Sequence, residues 1–310
     1  MALEHKFQKW KDRIGEAGFM IAAGTERLSN TRYADDILLY AKSLEELSMM
    51  LEILFEELGH IGLQAHPSKT KILTSDEDSI YHLVDIGGMM LQVLGKDESH
   101  RYLGRMLNLD PEKRVEIEFR NRVQVCWMKF QKQRYILINP DIPIRLRMKL
   151  FDAICSPTIL FGLAVLPLTL KKREALDVLQ RRMLRLIVGW KRLPEEDWAI
   201  TMHRMKGRLE KAEAIYPMAS WQECFHRQRW RYAVHVAKDS KSKWIYKLSQ
   251  YSPDSIADEE IKPHRHPGRP FLRWDDSLHD YCGYEWSMRH WLELENWTKE
   301  KALGIEDRYV

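Results

Sequence analysis

The sequence predicts an α+β protein, strand-rich in its first third and helical beyond it. Three observations carry this. Up to residue 109, short apolar runs rich in β-formers are separated by Gly and Asp turns, with two helical stretches among them. From Asp110 the hydrophobic period becomes helical and stays so. Between Ser249 and Pro270, four prolines (Pro253, Pro263, Pro267, Pro270) and little apolar periodicity read as a linker before a small C-terminal unit. The expected regions are 1–109, 110–192, 193–250, 251–270 and 271–310.

Leu3 to Gly15 places Phe7, Trp10 and Ile14 at helical spacing, and Gly18 opens a strand, Phe19 to Ala22. The next stretch, Leu28 to Lys42, reads LSNTRYADDILLYAK. Two β-prone runs, Leu28–Tyr33 and Ile37–Tyr40, flank Asp35 and Asp36, so the segment reads as a hairpin with two carboxylates at its turn. Either carboxylate suits a hard divalent cation, and a two-metal phosphoryl-transfer site needs such ligands on a rigid turn. Asp is equally a common former of solvated turns.

Ser43-Leu44-Glu45-Glu46 is a capping box, with Glu46 expected to reach back to the Ser43 amide. The helix it starts carries Leu44, Leu47, Met50, Leu51, Leu54, Phe55 and Leu58 as its apolar stripe and ends at Gly59 or Gly62. Gly62 to Leu73 reads as a turn between two short strands. Tyr81–Ile86, Met89–Leu94 and His100–Leu107 read as three strands, with Gly87-Gly88 as a hairpin turn.

Asp110-Pro111 caps a helix that runs to about Gln133, Asp141 and Pro143 start another, and Ser156–Leu166 is apolar and buried. Lys171–Trp190 is amphipathic, with Arg181, Arg182 and Arg185 off its leucine face. Trp198–Ala237 reads as two helices broken near Pro217, where Trp221, Phe225, Trp230 and Tyr232 stand beside Arg227, Arg229 and Arg231. Such aromatics are more often core than base-stacking platforms.

The net charge of +4 is unevenly spread, at −5 over residues 1–109, +14 over 110–247 and −5 over the remainder. A basic middle beside an acid-bearing hairpin suits a gripped polyanion, or else a set of solvated helix faces. Cys126, Cys155, Cys224 and Cys282 form no CxxC pair, and His264 and His266 have no cysteine near them, so no zinc ribbon or knuckle is expected. Scattered thiols and an N-terminus without an apolar signal core lead us to expect an intracellular protein, nuclear or cytoplasmic. The apolar stretch Ser156–Leu170, interrupted by Pro157 and Pro167, is too short for a bilayer, so no membrane partner is expected.

The Tyr33-Ala34-Asp35-Asp36 box, the apolar strand after it and the Leu/Glu-rich helix beyond resemble the palm of reverse transcriptases of non-LTR retrotransposons of the long interspersed type. Gly268-Arg269-Pro270 followed by Arg273-Trp274-Asp275-Asp276 resembles a segment near the C-terminus of the same proteins. The likeness begins near residue 1. It implies a partial antiparallel palm sheet over residues 1–109, a basic helical thumb over 110–192, and Mg²⁺ or Mn²⁺ held by Asp35 and Asp36. Lys69 matches a lysine near the incoming triphosphate, or is a surface lysine on a loop. The resemblance also implies that Tyr33 contacts the primer and template. Tyr102-Leu103-Gly104 resembles the primer grip, or is a plain sheet edge with a bulge at Gly104. Arg114, Arg120, Arg122 and Lys129 would contact phosphates of an RNA template and DNA primer.

The family's first catalytic carboxylate lies on an upstream strand, and the acids before Asp35 (Glu4, Asp12, Glu16, Glu26) sit in no apolar strand. The resemblance therefore implies a polymerase part running from mid-palm onward, inactive alone and taking deoxynucleotides only if fingers are supplied. The alternative is a non-catalytic remnant whose basic helices bind nucleic acid or protein.

Overall fold

The computed structural model describes residues 2–21, 27–75, 83–238, 241–250, 273–276 and 278. The expected linker at 251–270, most of the C-terminal unit, and the loop at 76–79 lie outside those residues. The chain divides into two compact units, residues 1–114 with 247–267, and residues 115–246 with 268–310.

The first unit is organised on one helix. Helix α1 (Ala2–Ile14) precedes strands β1 (Asn30–Tyr33) and β2 (Asp36–Leu39), and α2 (Leu44–Gly59) follows. α2 has two apolar stripes. Met50, Leu54 and Leu58, four residues apart, pack on Phe7, Trp10 and Ile14 of α1, and the Trp10 indole donates to the Met50 carbonyl at 2.8 Å. Leu51 packs instead against Ile72, Ile86, Leu91 and Val93 of a three-stranded sheet. Lys6 and Arg13 of α1 converge on Glu57 at 3.1 and 2.9 Å.

The Ser43 hydroxyl caps α2 by accepting from the Glu46 amide at 3.2 Å. Glu46 does not return the bond to Ser43 as the capping box implies. Its two oxygens take the Lys42 amide at 2.5 Å and the Gly18 amide at 3.2 Å, tying the segment after α1 to the start of α2. At the far end, Leu63 N–H bonds the Leu58 carbonyl at 3.1 Å and Gly62 N–H the Gly59 carbonyl at 3.0 Å, the paired bonds of a Schellman cap.

Among the described residues, the strands of the expected partial antiparallel sheet form three small sheets. β1 and β2 form one. In the second, β3 (Lys71–Leu73) runs parallel to β5 (Met89–Leu94), and β4 (Leu83–Ile86) pairs antiparallel with β5 through the Gly87-Gly88 turn. No strand forms between Gly62 and Thr70, and at Phe19 there is an isolated bridge to Leu28 in place of a strand. The third sheet is a correction too. His100–Leu107 is not one strand but a hairpin, β6 (His100–Tyr102) and β7 (Arg105–Leu107). Leu103 and Gly104 form its two-residue loop with φ of 47° and 75°, the sign pattern of a type I′ turn, so Gly104 is no bulge.

The second unit is helical: α3 (Pro111–Lys132, begun in the first unit), α4 (Arg134–Leu137), α5 (Ile144–Leu160), α6 (Leu170–Ile187), α7 (Trp198–Ile215), α8 (Trp221–Lys238) and the start of α9 (Trp244–Gln250, which ends in the first unit). Asp110 caps α3 by accepting from the amides of Glu112 and Lys113 at 2.9 and 3.2 Å. The core joins Phe130, Met148, Phe151, Cys155, Leu176, Met183, Ile187, Trp221 and Phe225. The stretch Ile144–Val165 is apolar and long enough to cross a membrane by composition. Its Met148, Phe151, Cys155, Ile159 and Leu160 are all buried against this core.

Candidate active site

The hairpin forms where the sequence places it. β1 and β2 pair Asn30 with Leu39, Thr31 with Leu38, Arg32 with Ile37 and Tyr33 with Asp36, leaving Ala34 and Asp35 as the loop. Ala34 has φ of 53° and Asp35 does not share the positive sign, as in a type II′ turn, whose first central position ordinarily takes glycine. A left-handed alanine costs roughly 1–2 kcal/mol, and such strain persists only where the flanking structure imposes it.

Residues paired across two strands share a face. On one face Ile37 and Leu39 pack on the α1–α2 core, while the Arg32 guanidinium lies 4.1 Å from the Phe7 ring centre and donates to both Glu4 oxygens at 3.2 Å. Thr31, Tyr33, Asp36 and Leu38 therefore share the opposite face. Tyr40 joins them, its hydroxyl 3.2 Å from Thr31 Oγ1. Tyr33, Asp35 and Asp36 are exposed.

Tyr102 reaches this face. Burial holds its hydroxyl above the usual tyrosine range despite a hydrogen bond with Thr31, and Tyr40 and Asp36 push in the same direction as burial. The end of the β6–β7 hairpin thus lies beside Asp36, and Thr31, Tyr40 and Tyr102 form a hydroxyl cluster there that sequence reasoning missed. The signal existed: a two-residue loop at 34–35 sets Thr31 opposite Leu38 and diagonal to Tyr40, two residues on along the same face.

Other candidates fare differently. Lys69 is exposed in the turn before β3, its amide bonded to the His66 carbonyl at 3.1 Å, and no hydrogen bond or ion pair joins it to either aspartate. Leu103 and Gly104 make a turn rather than a supporting strand. Arg122 is not available to phosphate: it is buried, ion-paired at 2.7 Å with the fully buried Glu118, and its guanidinium lies 4.9 Å from the Phe161 ring centre. Arg114, Arg120 and Lys129 are exposed, but Arg120 and Lys129 are nine residues apart on α3, half a turn out of phase, and Arg120 is 3.3 Å from Glu116. They form no single stripe. Arg147 and Arg229 are likewise buried, donating to carbonyls at Ile142 and Ala164, both at 2.9 Å, so part of the basic middle third is internal scaffolding.

Residues 1–107 match the family described as reverse transcriptase (RNA-dependent DNA polymerase). That match covers the whole hairpin and the strands around it. The likeness to a known protein runs further, to an uncharacterized transposon-derived protein of Caenorhabditis elegans that is 25% identical over 257 residues, spanning 81% of this chain and 84% of the relative.

Reverse transcriptases use a divalent metal, and the oxygens of Asp35 and Asp36 are the right donors for one. The donor set is only partial. Among the described residues no group of three His, Cys, Asp or Glu side chains could hold a metal ion. The described residues therefore offer two adjacent carboxylates without a third group to close the site.

Proposed function

We propose that the chain carries the catalytic hairpin of an RNA-directed DNA polymerase of a non-LTR retrotransposon, with Asp35 and Asp36 as its contribution to a Mg²⁺ or Mn²⁺ site. One observation supports this most: the hairpin turns Asp36 away from the α1–α2 core and sets it beside Tyr102, leaving an open face where a primer end and RNA template would meet it. The transposon-derived relative supports the retroelement origin. A bound divalent cation neutralises phosphate charge and acidifies an attacking hydroxyl. The chain's own residues hold Asp36 on a rigid strand, present Asp35 at a fixed turn, and use Thr31 to seat Tyr102 against that face.

Two carboxylates without a third do not align a 3′-hydroxyl with an α-phosphate, so the chain alone is expected to lack polymerase activity. The test is primer extension on an RNA template with Mg²⁺ or Mn²⁺, alongside Mn²⁺ binding followed by electron paramagnetic resonance. No extension, with weak Mn²⁺ binding that disappears in Asp35→Asn and Asp36→Asn, is the expected result. Robust extension would overturn the inactivity, and Mn²⁺ binding indifferent to both substitutions would overturn the metal role.

A further inference from the structure

Helix α6 ends in a local arrangement that the polymerase reading does not use. Trp190 N–H bonds the Arg185 carbonyl at 3.0 Å and Gly189 N–H the Leu186 carbonyl at 3.2 Å, with Gly189 at φ 75°. These are the two bonds of a Schellman cap, which folds the second residue past the helix back over its last turn. Here that residue is an indole and the site it covers is a cation, so the Arg185 guanidinium sits 5.3 Å from the Trp190 ring centre.

One turn earlier on the same face, Arg182 lies 5.6 Å from the ring centre of Trp127 on α3. On the other side Trp190 meets Trp198 edge to face at 6.3 Å, and Trp198 is 56% exposed. The result is a row, Trp127, Arg182, Arg185, Trp190, Trp198, with two guanidinium groups flanked by indole rings. Arg182 and Arg185 are exposed, and among the described residues neither forms an ion pair. The nearby acid Glu196 is committed to Arg204, with oxygens 2.6 and 2.7 Å from Nε and Nη2. Arg181 is not part of the row, since it lies close enough to Glu213 to favour that carboxylate. A guanidinium over an indole still has N–H groups to offer phosphate oxygens, and exposed rings accept stacked bases.

We propose that this row is a docking surface for single-stranded nucleic acid, with Arg182 and Arg185 on successive phosphates and Trp198 stacking a base. Its ligand is of the class the polymerase reading requires, but its residues lie on other elements, so the two readings fail separately.

The experiment uses the full chain and a short fluorescein-labelled single-stranded RNA, with binding followed by anisotropy across a salt series. Arg182→Gln/Arg185→Gln is expected to weaken binding about tenfold and to lower the log–log salt slope by about 1.4, two contacts at about 0.7 each. Trp198→Ala lowers affinity about tenfold at unchanged salt slope. Lys206→Gln/Lys211→Gln, at exposed lysines of α7 outside the row, stays within about twofold. Circular dichroism melts confirm that each variant folds. Wild-type affinity and slope in the double arginine variant, an equal loss in the lysine variant, or equally tight binding of duplex would overturn the proposal.

Discussion

The Arg32 guanidinium sits 4.1 Å from the centre of the Phe7 ring, on the face by which the carboxylate hairpin meets α1. Arg32 is paired with Ile37, so both point at α1, and one residue on, Tyr33 and Asp36 point away. A slip of one residue would bury Asp36 in the apolar interface. We expect Phe7→Ala to cost about 3–5 kcal/mol by urea denaturation, as for other fully buried rings, and Arg32→Ala only about 1 kcal/mol. An equal loss from both would mean that the guanidinium does more than cap the ring.

The hairpin, the α2 cap and the helices were legible because each is written in neighbouring residues: turn chemistry at Ala34-Asp35, Ser43 before an apolar period, Asp110 before Pro111. What was not legible rests on distant partners. Nothing local says that Arg229 donates to the carbonyl of Ala164, 65 residues away, although the aromatics around it were expected to be core. Arg122 looked like a phosphate contact because exposed and buried arginines are the same letter, and only Glu118 one turn earlier hinted otherwise. The three-way division of the sheet depended on β3 running parallel to β5, a long-range pairing with no sequence signature.

Tyr102→Phe removes the hydroxyl bonded to Thr31 and should cost about 1 kcal/mol at neutral pH. Its pH behaviour is more specific. Burial raises the Tyr102 pKa, so the stability it confers is complete below the ordinary tyrosine value and is lost as pH rises through the raised one. Urea midpoints at about pH 9 and about pH 11 should fall further in the wild type than in Tyr102→Phe. Parallel declines would place the hydroxyl outside the packed face.

Glu57 behaves in the opposite sense. Arg13, and after it Lys6, hold its carboxyl at about 2, below the ordinary 4.5. A depressed acid contributes stability above its unfolded value, and that contribution is lost as pH falls from 4.5 to about 2. Glu57→Gln should be less stable than wild type at neutral pH and show a flatter acid limb in that window. Superimposable acid limbs would show that the α1–α2 ion pairs add nothing.

Arg122→Ala takes the guanidinium from the buried Glu118 carboxylate, a loss of about 3–5 kcal/mol for a buried pair. The exposed Arg120→Ala should change stability by less than about 0.5 kcal/mol. Thermal melts separate the two. If Arg122 were a phosphate contact instead, its variant would melt normally and lower the salt slope of RNA binding.

Gly189 gives a test in which backbone conformation is the variable. A Cβ there would meet nothing closer than Arg208 Nη2 at 3.8 Å, so the cost of Gly189→Ala comes from φ of +75°, about 1–2 kcal/mol. Gly207 lies within helix α7 with nothing within 4 Å of a built Cβ, so Gly207→Ala should stabilise by about 0.5–1 kcal/mol. The two substitutions add the same methyl group with opposite expected signs. Gly189→Ala should also weaken RNA binding, because the left-handed cap is what lays Trp190 over Arg185, whereas Gly207→Ala should leave binding intact. Melts and anisotropy on the same preparations read both effects. A Gly189→Ala chain that binds RNA as tightly as wild type despite its lowered melting temperature would show that the row does not depend on the cap.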